Sequence, residues 1–204
     1  MLWLIPNILT FGRLVLSVIF LGMVLYSPHV QNRAGFLDTA FVIFVIAGIT
    51  DVIDGAVARK LNVASKFGRM SDPLVDKVLV CGAFICFAVI GQPVFFGLSS
   101  TTMSVIRWAV AGIIVAREVY VTVLRHIAEA RGINFAATVS GKVKMFLQSI
   151  AIGTVLIKTA HSLDALWADI VTQAIFAAMV VVTVVSGFRA TRRQAWQKVR
   201  IKSG

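Results

Sequence analysis

The sequence predicts an all-α integral membrane protein of six transmembrane helices with both termini cytoplasmic, and three observations carry that expectation. Hydrophobic residues make up 58% of the 204 positions, charged residues only 14%, and the mean hydropathy is +0.89; an ordinary soluble domain is about a quarter charged. Apolar runs recur at lengths near the ~20 residues that carry a helix across the hydrocarbon core. Basic residues cluster in alternate connections, as a membrane topology requires. Residues 1–204 therefore read as a single membrane domain with no room for a separate soluble one.

The spans fall near residues 8–26, 36–58, 72–91, 105–127, 143–161 and 167–188. Turn chemistry separates them: Ser27-Pro28 through Gly35, Asn62 through Gly68, Gly91-Gln92-Pro93 to Ser100, Gly132 to Gly141, and His161 to Asp164. The second and fourth runs pass into charged stretches that can extend as helix into water. Met1 to Pro6 is too short and lacks the basic start of a secretory signal, so the first span is expected to be retained.

The formal net charge is +11. Arg59, Lys60, Lys66 and Arg69 lie between spans two and three. Arg131 and Lys142 lie between spans four and five, with Arg125 and Lys144 close by. A basic tail over 189–204 carries Arg189, Arg192, Arg193, Lys198, Arg200 and Lys202. The opposite side holds only Arg33, Lys158 and the edge residue Arg107, so both termini and both basic loops are expected to be cytoplasmic. The tail reads as a topology signal with attraction to anionic membrane lipid. No nucleic-acid partner is expected, because aromatic residues are not interleaved with the basic ones on an exposed platform. Cys81 and Cys86 read as small core residues without metal-site spacing, and His29, His126 and His161 are scattered.

The segment Asp51 to Asp76 holds four of the nine acidic residues within 26 positions. Asp51, Asp54, Gly55 and Ala58 follow i, i+3, i+4, i+7 and share one face if the second helix continues through them. Gly68, Asp72 and Asp76 repeat an i, i+4 step. Pro73 fits a helix that begins near Ser71, with Ser71 as N-cap, and would kink one that begins earlier. Salt bridges at a cytoplasmic rim are one account: Asp51 or Asp54 with Arg59, and Asp72 or Asp76 with Arg69 or Lys77. Four carboxylates on two adjacent helices point further, because like charges so close disfavour joint ionisation unless a cation intervenes. Ionisable groups near membrane depth are functional by default. An oxygen-only donor set of Asp51, Asp54, Asp72 and Asp76 suits a hard ion such as Mg²⁺ or Mn²⁺. Gly55 and Ala58 let a bulky ligand approach the backbone, and Arg59 offers a bidentate fork to phosphate. Together these suggest a nucleotide diphosphate site, where two ions about 3.5–4 Å apart would clamp the attacking and leaving oxygens.

Asp51-x2-Asp54-Gly55-x2-Ala58-Arg59-x8-Gly68-x3-Asp72-x3-Asp76 resembles, in full, the signature of the CDP-alcohol phosphotransferases, membrane enzymes that join a CDP-linked lipid or alcohol to a second alcohol. Ile5-Pro6-Asn7-Ile8-Leu9-Thr10 with Arg13, Ala116-Arg117-Glu118, Leu124-Arg125 and Ser140-Gly141-Lys142-Val143-Lys144 are similar to segments of the phosphatidylglycerolphosphate synthase branch. The resemblance implies that Asp51, Asp54 and Asp72 bind a pair of divalent ions, with Asp76 close to them and acting as general base. It implies that Gly55, Ala58 and Arg59 receive the CDP moiety and that Gly68 leaves room beside the nucleotide. Six transmembrane helices, a homodimer and a cytoplasm-facing site are implied as well.

The implied reaction moves a phosphatidyl group from CDP-diacylglycerol to an acceptor hydroxyl and releases CMP. Arg117, Arg125, Lys142 and Lys144 gather around the end of the fourth span and the start of the fifth, where they can converge on a phosphate-bearing acceptor such as glycerol 3-phosphate. The alternatives are that Arg125 and Lys144 mark topology and that Arg117 pairs with Glu118 or an aspartate. Arg13 either lines the site or snorkels to the cytoplasmic interface. Inositol phosphate, serine or phosphatidylglycerol as acceptor is the neighbouring expectation. A divalent-cation transporter is the remote one, since all four aspartates lie at the ends of their spans. The compact chain suggests a bacterial inner membrane.

Overall fold

Three helices lead the chain, α1 (Leu4–Tyr26), α2 (Arg33–Leu61) and α3 (Lys66–Val89), and three follow, α4 (Ser100–Ala130), α5 (Val139–Ala160) and α6 (Leu166–Lys202). This computed structural model describes the backbone of residues 4–61, 66–130, 139–161 and 165–202, and the side chains of residues 10–50, 75, 77–128, 141, 143–161 and 165–192. The helix number matches the expected number of spans. Among the described residues, four stretches are long and apolar enough to cross a membrane: Thr10–His29, Arg33–Thr50, Val143–Ala160 and Leu166–Arg192. The other two helices are diluted by charge. In α3 the shorter stretch Lys77–Val89 is apolar, and α4 carries Arg107, Arg117, Glu118 and Arg125 along its length.

The termini of these helices have local causes. Asn32 precedes α2 and its Oδ1 accepts from the Gly35 N–H at 3.1 Å, satisfying one of the orphan donors of the first turn. Ser99 does the same for α4, its Oγ accepting from the Thr102 N–H at 3.3 Å. Gly91 at φ 74° closes α3, where the Gln92 N–H donates to the Phe87 carbonyl at 2.8 Å, a Schellman arrangement that glycine alone adopts without strain. Asn32→Ala is expected to lower the stability of the purified protein by about 1 kcal/mol, read as a drop in thermal midpoint in detergent; an unchanged midpoint would remove the cap from the account.

Two boundaries differ from the expectation. Helix α3 begins at Lys66, so Ser71 lies inside the helix and is not its N-cap. Pro73 is likewise interior, and its ring withholds the N–H that would bond four residues back. Helix α6 runs through Phe188 to Lys202, so the basic tail continues the last span as helix. No proline or glycine interrupts residues 188–202, and Arg, Lys, Gln and Ala there are good helix formers.

The chain forms two compact units. One contains α1, α2, α3 and the end of α5 from Gly153; the other contains α4, the start of α5 up to Ile152, and α6. In the first unit α1 packs against both α2 and α3. Its core is built from Phe20 and Val24 on α1, Leu37, Ala40, Phe44 and Ala47 on α2, and Val75, Leu79, Ala83, Phe84 and Phe87 on α3, with the Phe20 and Phe44 rings 5.4 Å apart. Small residues let these helices approach closely: a Cβ on Gly82 would come 2.6 Å from Leu21 Cδ1. Outward faces stay apolar, with Val18, Ile19, Val42, Ile46 and Ile49 exposed, the pattern of helices whose solvent is lipid. Hydroxyls return to their own helix: Ser17 Oγ donates to the Arg13 carbonyl at 2.7 Å and Thr50 Oγ1 to the Ile46 carbonyl at 2.8 Å. Such back-bonds keep these two donors from standing bare in hydrocarbon.

In the second unit α4 packs against α6. The Phe95 and Phe176 rings meet edge to face at 5.7 Å, and Gln173 Nε2 donates to the Phe96 carbonyl at 3.1 Å. Toward the other end of the two helices, Tyr120 Oη and Thr191 Oγ1 are 2.9 Å apart.

Candidate active site

The buried stripe of α2 runs Leu37, Ala40, Phe44, Ala47, alternating steps of three and four. The next positions on that stripe are 51, 54 and 58. Helix α2 continues to Leu61, so positions 51, 54 and 58 follow the same helical register along the backbone. On α3, positions 72 and 76 share the face on which Val75 and Leu79 are buried. The stripe on α1 reads Thr10, Arg13, Ser17, Phe20, Val24, all buried. The buried stripe of α1 is thus polar at its start and apolar toward its end.

Arg13 is 1% exposed. It is therefore buried and does not snorkel into water. A guanidinium cannot be neutralised at ordinary pH, so burial at that depth demands anionic company. The side chains of Asp51, Asp54, Gly55, Ala58, Arg59, Gly68, Asp72, Asp76 and Lys142 lie outside the described residues; their backbones lie in α2, α3 and α5.

The second unit builds a different cluster. Glu118 on α4 is 8% exposed and Lys144 on α5 is 4% exposed. Glu118 Oε1 accepts from Arg117 Nη1 at 2.9 Å and also from Lys144 Nζ. Arg117 has its stem over α6, where a Cβ on Gly187 would lie 3.5 Å from Arg117 Cγ. Arg125 lies two turns beyond Glu118 on the same face of α4, half-buried, with no partner for its Nε. Gln148, one turn past Lys144 on α5, is fully buried, and neither its Nε2 nor its Oε1 has a partner. The structure brings Arg117 and Lys144 together and shows why: they share one carboxylate.

Glu118 is the residue that the sequence placed only as an alternative partner for Arg117. An acid set directly beside Arg117 in the apolar middle of α4, between Arg107 and Arg125, was the available signal, because a charge inside a membrane helix is rarely left unpaired. Gln148 gave none, since a single amide on a helix carries no pattern.

The signature residues from Asp51 to Asp76 lie on the backbones of α2 and α3, in a chain with four stretches, among the described residues, long and apolar enough to cross a membrane. The sequence model of the CDP-alcohol phosphatidyltransferase family matches residues 3–186, and the chain belongs to that family. It is similar to a probable phosphatidylglycerophosphate synthase of Mycobacterium tuberculosis, 33% identical over 90% of this chain and 78% of the relative. It is also similar to the CDP-diacylglycerol–glycerol-3-phosphate 3-phosphatidyltransferases of Bacillus subtilis, 34% identical over 75% of this chain and 76% of the relative, and of Rickettsia felis, 30% identical over 90% and 91%. The apolar helices and the family together make it an integral membrane protein.

Proposed function

We propose that the protein transfers a phosphatidyl group from CDP-diacylglycerol to glycerol 3-phosphate, giving phosphatidylglycerol phosphate and CMP. The donor half is supported by the complete signature on α2 and α3 and by the family match. The observation that carries the acceptor is the buried cluster of Arg117, Glu118 and Lys144, together with the names of the relatives. A neutral alcohol would not need two cations held in a dry site, whereas a phosphate monoester forms charge-assisted hydrogen bonds to both.

In this mechanism Asp76 takes the proton from the primary hydroxyl of the acceptor, and the hydroxyl oxygen attacks the lipid-linked phosphorus of the donor as CMP departs. Arg59 meets the diphosphate with its fork, while Gly55, Ala58 and Gly68 leave room for the nucleotide. Arg117, Arg125, Lys142 and Lys144 hold the acceptor phosphate. The all-oxygen donor set of Asp51, Asp54, Asp72 and Asp76 fits hard divalent ions. Mg²⁺ or Mn²⁺ bound there, as a pair, would neutralise charge on the breaking diphosphate. The alternation of basic connections supports a site facing the cytoplasm, in a bacterial inner membrane. A homodimer of this single membrane domain completes the proposal.

The test is CMP release by the protein in detergent with CDP-diacylglycerol, Mg²⁺ or Mn²⁺, and glycerol 3-phosphate, inositol phosphate, serine or phosphatidylglycerol. Release driven by glycerol 3-phosphate, and by no other alcohol, is the expected result. Chelation should abolish it and either ion should restore it. Release driven by a different alcohol keeps the transferase and overturns the acceptor; release that survives complete chelation overturns the metal site.

A further inference from the structure

We infer that Glu118 is a positioning residue of the acceptor subsite, gathering Arg117 of α4 and Lys144 of α5 into a receptor for a phosphate monoester that is formed before the acceptor arrives. The inference rests on the acceptor proposed above and deepens it. Its centre is a single atom: Glu118 Oε1 accepts from both Arg117 Nη1 and Lys144 Nζ, so two cations from two helices are fixed around one point.

Stability does not explain such a triad. Burying one anion and two cations costs desolvation that mutual attraction rarely recovers, and apolar residues of the same volume generally serve a core at least as well. The Arg117, Glu118 and Lys144 side chains are 12%, 10% and 5% exposed, so the charges are deep enough for that cost to apply. Arg117, Glu118 and Lys144 by themselves sum to one positive charge. The groups beside it have hydrogen-bonding capacity to spare: the amide of Gln148, and the Nε atoms of Arg117 and Arg125. Buried polar groups are ordinarily satisfied, and several unsatisfied ones around a residual positive charge suit an anionic ligand with further oxygens. Without Glu118 the two cations would repel each other and their long side chains would spread over many rotamers. With it, that freedom is lost on folding instead of on binding, which is how preorganisation raises affinity.

Glu118→Gln and Glu118→Asp, made in the full chain and assayed in detergent, separate this role from its rivals. Steady-state parameters are measured for glycerol 3-phosphate and for CDP-diacylglycerol independently. Both variants are expected to raise the KM for glycerol 3-phosphate about tenfold and to leave the KM for CDP-diacylglycerol within about twofold. A Glu118 acting only as a counter-charge predicts the reverse for Glu118→Gln, a lower KM, because removing an anion favours an anionic substrate; that result overturns the inference. So does an equal loss toward both substrates, a fall in kcat alone, or failure of both variants to fold, each of which assigns Glu118 a structural role. Wild-type enzyme that turns over another acceptor and not glycerol 3-phosphate overturns the proposed acceptor instead, so the two failures remain distinct.

Discussion

Replacing Asp76 with Asn is expected to cut CMP release by about 10²- to 10⁴-fold, the range that a positioned general base contributes. The substitution keeps the size of the side chain and one oxygen, and removes only the capacity to take a proton. Position 76 lies within α3, and the near-isosteric change should leave packing intact, so thermal unfolding should not move. The companion Asp51→Asn removes one negative charge from the ion-binding set, and raised Mg²⁺ or Mn²⁺ should partly restore its activity. Asp76→Asn should not respond to added metal. If it keeps more than a tenth of wild-type activity, or recovers with metal, then position 76 serves as a ligand alone and another group takes the proton.

The second large effect is expected from Lys144→Ala. The change removes a charge-assisted hydrogen bond to the acceptor phosphate, of about 1.5–3 kcal/mol, and should raise the KM for glycerol 3-phosphate about 10- to 100-fold. It also withdraws one of the two cations from Glu118. Breaking a buried pair costs about 3–5 kcal/mol, so the thermal midpoint should fall as well. The KM for CDP-diacylglycerol reports which effect dominates: it stays near the wild-type value if Lys144 serves the acceptor, and rises in step if the loss is one of folding. Lys144→Ala with an unaltered KM for glycerol 3-phosphate would remove the residue from the subsite.

The two clusters differ in how far they could be read beforehand. Asp51, Asp54, Asp72 and Asp76 were legible because helical periodicity is a property of the chain: spacings of three and four put carboxylates on one face wherever the helix continues. What the sequence left open was whether α3 began early enough to include Gly68, and the helix starts at Lys66. The onset was obscured by Pro73, which reads as a start signal yet is tolerated inside a membrane helix when neighbouring groups satisfy the freed carbonyl. Arg117 and Lys144 were legible as charges, and their partner was not, because 26 residues separate Glu118 from Lys144 and pairing at that range depends on how helices pack.

The sequence by itself determined a membrane protein of six helices, the direction of its charges and the signature that makes it a CDP-alcohol phosphatidyltransferase. Composition, period and spacing are local quantities, and a bilayer converts them into architecture with few alternatives. Only the tertiary structure decided that Arg13 is buried. It alone showed that α6 carries the basic tail on as helix, and that one carboxylate, Glu118, holds two cations from different helices. Burial and pairing are relations between helices, and a chain of apolar spans fixes which faces can meet without fixing which charged side chains do.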